Sequence, residues 1–426
     1  MTLLEIKKIF YSLMGPIFLC LLVIGFPAGL PAQTPFESMD RNQDGQLSRS
    51  EFRGPPKAFK RLDRNKDGYI SENEASGTRL SGDMHQRKQL PGPPAQSKLV
   101  YVDTHNHLVG PRKMGQYHLE KSARIALSAM DATGIKINLI MPMPQAAGQD
   151  IKLYLEDLLP IVQEHPDRFA ALGGGGSLNV MIQEAMQKGH VTKTMEKAFD
   201  ERALAIVQKG AVGFGEMTTE HFSMSKNHPY ITAPPDHPLF LRLADLAAQY
   251  NMPIDIHMEA IPEEMPMPQR FHSPPNPHIL SPNIEAFRRL LAHNRKAKII
   301  WVHLGWDNTG KRTIALTRRL MRENPNLYMS IRIASGMVNR KVSTPTFPLD
   351  RDGHLKPEWL ALFQEFPDRF LIGSDEIIKP SDDHPSAGSI RSTVSLLDGL
   401  PPKLKARIGY ENAYGLYRFN RGYYQE

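Results

Sequence analysis

The chain is 426 residues long, with 41% hydrophobic and 23% charged residues, the balance of a soluble globular protein with room for two or three domains. Its net charge of +7 makes no nucleic-acid footprint, because 52 lysines and arginines are scattered among 45 carboxylates without a basic stripe interleaved with aromatics. A single cysteine, Cys20, excludes a disulfide framework.

The first 32 residues read as an address. Lys7 and Lys8 precede the apolar run Ile17–Phe26, and Gly29, Pro31 and Ala32 follow it, the order of a cleaved secretory signal. Cleavage after Ala32 would send the mature chain to the periplasm or the medium. It would also remove Cys20, leaving no thiol nucleophile and no thiolate metal ligand. The rival is an uncleaved anchor, since Ile9–Phe26 approaches the length of a span, although Ser12, Gly15 and Pro16 interrupt it. Membrane attachment is expected only in that case. Leu19, before Cys20, is not the small residue of a lipoprotein cleavage site.

Residues 33–78 hold two near-copies of one loop. Asp40, Asn42, Asp44 and Glu51 stand at positions 1, 3, 5 and 12 of the first, with Gly45 at position 6; Asp63, Asn65, Asp67, Glu74 and Gly68 repeat this in the second. These are EF-hand calcium loops. A hard cation takes six to eight oxygens, the last glutamate can supply two, and the glycine permits the sharp turn. Gln46 and Tyr69 would add backbone carbonyls, and Leu47 and Ile70, at position 8, suit a short strand pairing between the loops. Only Phe52–Leu62 separates them, with Gly54, Pro55 and Pro56 inside, so the intervening helix must be short and the pair structural rather than a groove-opening sensor. Affinity of about 0.1 to 1 mM is expected, as in extracellular modules. From Ser76 to Ser97 the chain turns polar and rich in glycine and proline, a linker spanning residues 79–98.

From Leu99 to about residue 421 short apolar runs alternate with amphipathic helical stretches, the pattern of a parallel sheet with crossover helices. The expected strands are Leu99–Val102, Lys136–Met141, Phe169–Gly173, Ala211–Gly215, Pro253–Ile256, Lys298–Val302, Leu327–Ile331 and Arg369–Gly373. Helices are expected over Leu119–Ala132, Lys152–Glu164, Leu239–Tyr250 and Arg312–Glu323. Eight such repeats fit an α/β fold of the (β/α)8 TIM-barrel kind better than an open doubly wound sheet.

In such a barrel the chemistry sits at the C-terminal ends of the strands. His105 and His107 follow the first strand two residues apart, so on extended backbone they point the same way. Glu216, His257, His303 and Asp375 follow the fourth, fifth, sixth and eighth. Imidazoles and carboxylates converging without cysteine are what zinc, manganese or iron sites require. Substrate selection should fall to the long loops 260–282, a candidate lid, and 334–355. Arg332, beyond the seventh strand, could hold a substrate carboxylate or phosphate, or form a structural ion pair. Glu220, His221, Trp306 and Asp307 either line the pocket or cap helices. The glycine run 173–176 lacks the spacing and lysine of a phosphate loop and reads as a tight strand-to-loop turn.

Over Leu99–Phe419 the chain resembles the amidohydrolase superfamily, in its amidohydrolase-related branch. The resemblance rests on the DTHNH start, the IDIHM and WVHLG strand ends, PDRFLIGSDE around Asp375 and the closing YENAYGLYRF. It implies that His105, His107 and His257 bind metal, that His303 contacts the metal or the reacting oxygen, and that Asp375 binds metal and shuttles a proton. It also implies that Glu216 stands where some members place a metal-bridging carboxylate, which leaves one ion or two open. Metal-activated water attacking an ester, amide or lactone carbonyl of a small molecule is the leading reading. The branch is also similar to metal-dependent decarboxylases, so a lyase is the alternative, and a non-catalytic calcium-dependent binding protein is a third. A homo-oligomer is compatible with the sequence.

Overall fold

The computed structural model describes residues 36, 39–40, 46–63, 68–71, 75 and 99–419, apart from 114–115, 150–152, 226–227, 273–274, 340, 342–343 and 381–387. The leader expected over 1–32 and the linker over 79–98 lie outside these residues. No helix among the described residues is long and apolar enough to cross a membrane. The chain divides into two units, Met1–Pro91 and Gly92–Glu426.

In the first unit Gln46–Ser48 pairs antiparallel with Tyr69–Ser71, placing Leu47 opposite Ile70. Both are buried, with Phe59 from the helix Pro56–Leu62 against them. That helix has seven residues, short because Pro55 and Pro56 fix its start. Gly68 takes φ +91°, the conformation that position 6 of the loop demands. Glu51 is buried and accepts the Ser48 N–H at 3.0 Å and its hydroxyl at 2.6 Å. Asp63 Oδ2 accepts the Gly68 N–H at 3.2 Å. The calcium candidates Asn42, Asp44, Asn65, Asp67 and Glu74 lie outside the described residues, while Asp40 and the backbones of Gln46 and Tyr69 lie within them.

The second unit is a closed parallel barrel. Its strands are β1 (Tyr101–Leu108), β2 (Ile135–Ile140), β3 (Phe169–Gly174), β4 (Gly213–His221), β5 (Ile254–Met258), β6 (Ile299–Leu304), β7 (Leu327–Ile331) and β8 (Phe370–Ile372), each bonded to the next, with β8 returning to β1. The four expected helices are present as Glu120–Thr133, Leu155–Glu164, Pro238–Tyr250 and Ile314–Glu323. Val102, Leu139, Leu172, Ile300, Val302 and Leu371 pack with Ala413, Leu416 and Tyr417 in one cluster. Strands on opposite sides of a closed ring can share contacts only through its lumen, so the C-terminal segment plugs the barrel from one end.

Four strands run two or more residues past their expected ends, and β3 runs one past, to Gly174. The first continues from Val102 to Leu108, and β4, β5 and β6 reach His221, Met258 and Leu304. Glu216, His257 and His303 therefore lie within strands rather than after them. Only the segments pressed against helices on one face need apolar side chains; the polar continuations face the mouth of the lumen, where partners satisfy them. The glycine run is a tight turn, as expected. Gly174 has φ +129°, and a Cβ on Gly175 would lie 2.5 Å from the Pro142 carbonyl oxygen.

Candidate metal centre and pocket

At the C-terminal mouth of the barrel six polar side chains converge. His105 Nδ1–H donates to Asp255 Oδ2 at 3.1 Å, and His107 Nδ1–H to the Met141 carbonyl at 2.9 Å. Both rings are thereby turned so that Nε2 faces inward. His107 Nε2 lies 3.3 Å from both Glu216 Oε2 and Asp375 Oδ1, and His105 Nε2 is 3.6 Å from the same Glu216 oxygen. The other Glu216 oxygen meets His257 Nδ1 at 2.8 Å and His303 Nε2 at 3.0 Å. Three triads have ligand atoms within 4.8 Å of one another: His105, His107 and Glu216; His105, His303 and Asp375; Glu216, His257 and His303.

The electrostatics follow from the crowding. Burial disfavours each charge, yet Asp255 and Glu216 raise His105 to about 10, Asp375 and Glu216 raise His107 to about 9, and Glu216 and Glu259 raise His257 to about 9. Burial also opposes ionisation of Glu216, but four imidazoles hold it well below the carboxylate range. Burial prevails at His303, which falls to about 3. For Asp375 burial is overcome by Arg332 and His303, and its carboxyl stays far below the ordinary range. A divalent cation would displace these protons, because imidazoles bind it neutral and carboxylates bind it ionised.

The surrounding sequence positions these groups. Asp103 accepts the Ser374 N–H at 2.9 Å and its hydroxyl at 2.5 Å; Asn106 accepts the Glu376 N–H at 2.9 Å; and the Asp375 N–H reaches the His105 carbonyl at 2.8 Å. Asp103 before the two histidines and Asn106 between them thus clamp the segment carrying Asp375 to β1. His303 and Asp375 have φ of +64° and +51°, a left-handed backbone that costs a non-glycine residue about 1–2 kcal/mol. Strain of this kind persists where the surroundings over-determine it, typically at functional positions.

The donor set fits a divalent cation. His105 Nε2 and His303 Nδ1 are buried without hydrogen-bond partners among the described residues, and the candidate ligand atoms are all nitrogen and oxygen.

A cavity of about 440 Å³ opens above the centre, with His107, Glu216, His257, Asp375 and Arg332 among its lining residues. Arg332 makes an ion pair with Asp375 Oδ2 at 3.0 Å and lies 4.3 Å over the Trp306 ring. His221 and Trp306 line the cavity, whereas Asp307 accepts N–H groups of Thr309, Gly310 and Arg312 and shapes the loop after β6. Glu220 is buried under the hydroxyls of Tyr230 and Thr232, each 2.7 Å away.

The two loops expected to select substrate contribute no lining residue among the described residues. The 260–282 segment is a buttress instead. Phe271 packs on Phe222 at 5.4 Å, and Asn276 binds both backbone groups of Ser223, at 2.7 and 2.9 Å. The wall is built from Met143, Leu153, Phe222, Met224 and Ile231, in loops following β2 and β4 that carry no ligand-type signature. Asp255 and Tyr417 also escaped the sequence reading. Asp255, two residues before His257 on one strand face, was accessible to the same alternation rule that paired His105 with His107.

Fold and site together define a (β/α)8 barrel enzyme whose candidate centre offers nitrogen and oxygen ligands to a divalent cation. A family model described as amidohydrolase matches residues 102–419, and the chain belongs to that family. An EF-hand model matches residues 35–54 and 57–74. Comparison with curated proteins finds no match. Among solved structures the chain is similar to one described as a "probable 2-pyrone-4,6-dicarboxylic acid hydrolase" from Acinetobacter baumannii with citric acid bound, at 12% identity and a TM-score of 0.42, covering 74% of this chain and 98% of that one. A dihydroxybenzoic acid decarboxylase from Polaromonas sp. JS666, with bound manganese and the inhibitor 2-nitroresorcinol, is 14% identical with a TM-score of 0.42, over 76% and 98%. A 2,6-dihydroxybenzoate decarboxylase from Rhizobium is 14% identical with a TM-score of 0.36, over 75% and 98%.

Proposed function

We propose that this amidohydrolase-family enzyme is exported and hydrolyses an ester, amide or lactone bond of a small molecule, using a divalent transition metal in the barrel and holding calcium in its N-terminal loops. The observation that carries the reading is the convergence of His105, His107, His257, His303, Glu216 and Asp375 beneath one cavity, with Asp375 held ionised by Arg332. Those residues would hold zinc, manganese or iron. The cation would polarise the carbonyl and lower the pKa of its water toward about 7. Glu216 belongs to two of the three triads, one through each oxygen, which supports a carboxylate shared by two ions.

The chain's own groups account for the proton traffic. Asp375 is ionised and at the cavity floor, so its carboxylate accepts the proton of the attacking water and returns it to the leaving group. Arg332 keeps that carboxylate charged and oriented, and its stacking on Trp306 fixes the guanidinium. The leader Lys7–Ala32 supports export, and the two oxygen-rich loops support calcium.

The test uses protein purified without chelator, analysed for metal and then offered a panel of lactones and aryl esters in 18O-labelled water. Label in the product carboxylate, lost on chelation, is the expected result. Unlabelled release of carbon dioxide from an aromatic or unsaturated acid would replace hydrolysis with decarboxylation. A barrel holding no metal after incubation with zinc or manganese would overturn the catalytic reading and leave calcium-dependent binding.

A further inference from the structure

We infer that His221 and His228 form a second polar anchor in the pocket, which receives a neutral oxygen function, a hydroxyl or carbonyl, on the body of the substrate rather than at the bond that breaks. The inference deepens the hydrolase reading and rests on it for the word substrate.

Both histidines line the cavity. The His221 ring lies 4.5 Å from that of His257, tilted by 47°, and His228 lies 5.0 Å beyond His221, so the two rings lead outward from the candidate metal centre along one wall. Neither is used by the mechanism above. His221 Nδ1 is shielded from solvent and has no hydrogen-bond partner among the described residues, so that nitrogen is not tied into the network around the centre. His228 Nδ1 accepts the Met224 N–H at 3.1 Å and therefore bears no proton. Its ring is neutral and keeps one donor, Nε2–H.

The charge layout selects the group this wall can accept. Glu259 also lines the cavity, its carboxylate bonded by the Asn308 side chain at 2.5 Å and the Asn308 N–H at 3.2 Å, and a carboxylate there repels an anion on this side. The guanidinium that would attract one, Arg332, lies beside Asp375. Met143, Phe222, Met224 and Ile231 leave an apolar berth between, and about 440 Å³ suits a small molecule with one ring. The described residues around His228 are held in place: the His228 N–H donates to the Ser225 carbonyl at 2.9 Å, Asn276 grips Ser223, and Tyr230 is bonded to buried Glu220, which pre-organises the anchor.

The probes are phenol and toluene, equal in shape and differing by the oxygen. Their affinities are measured by calorimetry or NMR titration on full-length protein, with metal and after chelation. Wild type should prefer phenol by roughly 2- to 12-fold, the worth of one net hydrogen bond, in both states. His228→Phe should abolish the preference, and His228→Gln, which retains an N–H donor, should restore most of it. A preference that survives His228→Phe, or vanishes on chelation, places the oxygen on the metal and overturns the proposal. Binding of neither probe to wild type overturns it as well. If the preference behaves as expected while labelled water never enters a product, the anchor stands and the hydrolase reading falls.

Discussion

Asp255 is the residue whose replacement tests the geometry of the centre most sharply. It is fully buried, one oxygen 3.1 Å from His105 Nδ1 and the other accepting the Tyr417 hydroxyl at 3.1 Å. Asp255→Asn keeps the shape but replaces one acceptor by an N–H. If the amide presents N–H to His105, the imidazole must move its proton to Nε2, the atom that faces the metal site. Carboxylates behind a metal-binding histidine are typically worth 10–100-fold in metal affinity, about 1.4–2.7 kcal/mol. Asp255→Ala also removes the carboxylate that accepts the Tyr417 hydroxyl, leaving it only the Thr104 hydroxyl, a further cost of about 1–3 kcal/mol in stability. Metal dissociation constants by chelator competition, alongside thermal melts, should show affinity falling in both variants and stability falling more in the alanine. A dissociation constant for Asp255→Asn within twofold of wild type, in a folded protein, would refute the claim that this carboxylate sets the His105 tautomer.

Asp375→Asn should lower turnover of any substrate found by at least about 100-fold, the low end of what general acid–base groups contribute; unaffected kcat would remove Asp375 from proton transfer. Glu220 yields a pH prediction, because burial raises its carboxyl from the ordinary 4.5 to about 7. The native state then keeps a proton the unfolded chain has shed, so this contribution is complete below about pH 4.5 and is lost as pH rises through 7. Wild type should lose stability relative to Glu220→Gln between pH 5 and 8, by on the order of 3 kcal/mol at most; parallel melting curves would show that the carboxyl is not protonated in the fold. Calorimetry should find calcium binding at about 0.1 to 1 mM, weakened by Glu51→Gln, and a flat titration at millimolar calcium would remove the EF-hand assignment. Elemental analysis should give two transition-metal ions per chain and one in Glu216→Ala, whereas a single ion in wild type would show that Glu216 does not bridge.

How far the sequence could be read depended on the kind of information each feature carries. The eight strands and the residues that converge at the barrel mouth were legible because their signals are local: an apolar run between turn residues, or an HxH pair whose facing follows from the two-residue repeat of extended chain. The calcium loops were legible for the same reason, since each packs its candidate ligands into twelve consecutive positions, Asp40–Glu51 and Asp63–Glu74. The strand ends were misplaced where chain continued as strand with polar side chains, as in DTHNHL and EMTTEH, because hydrophobicity reports burial against helices and not hydrogen bonding around a lumen.

Distance in sequence hid the rest. Asp255 meets Tyr417 across 162 positions, Ser374 meets Asp103 across 271, and the pocket wall joins Met143 to Met224 and Trp306. The 260–282 segment had the length of a lid and serves as a buttress, because its Phe271 and Asn276 find Phe222 and Ser223 only once the barrel brings the two loops side by side. Chain chemistry therefore settled which kinds of atoms this protein could bring to a cation. Closure of the barrel decided which of them share one oxygen of Glu216, which residues form the cavity wall, and which merely hold that wall in place, since only closure makes neighbours of strands so far apart in the chain.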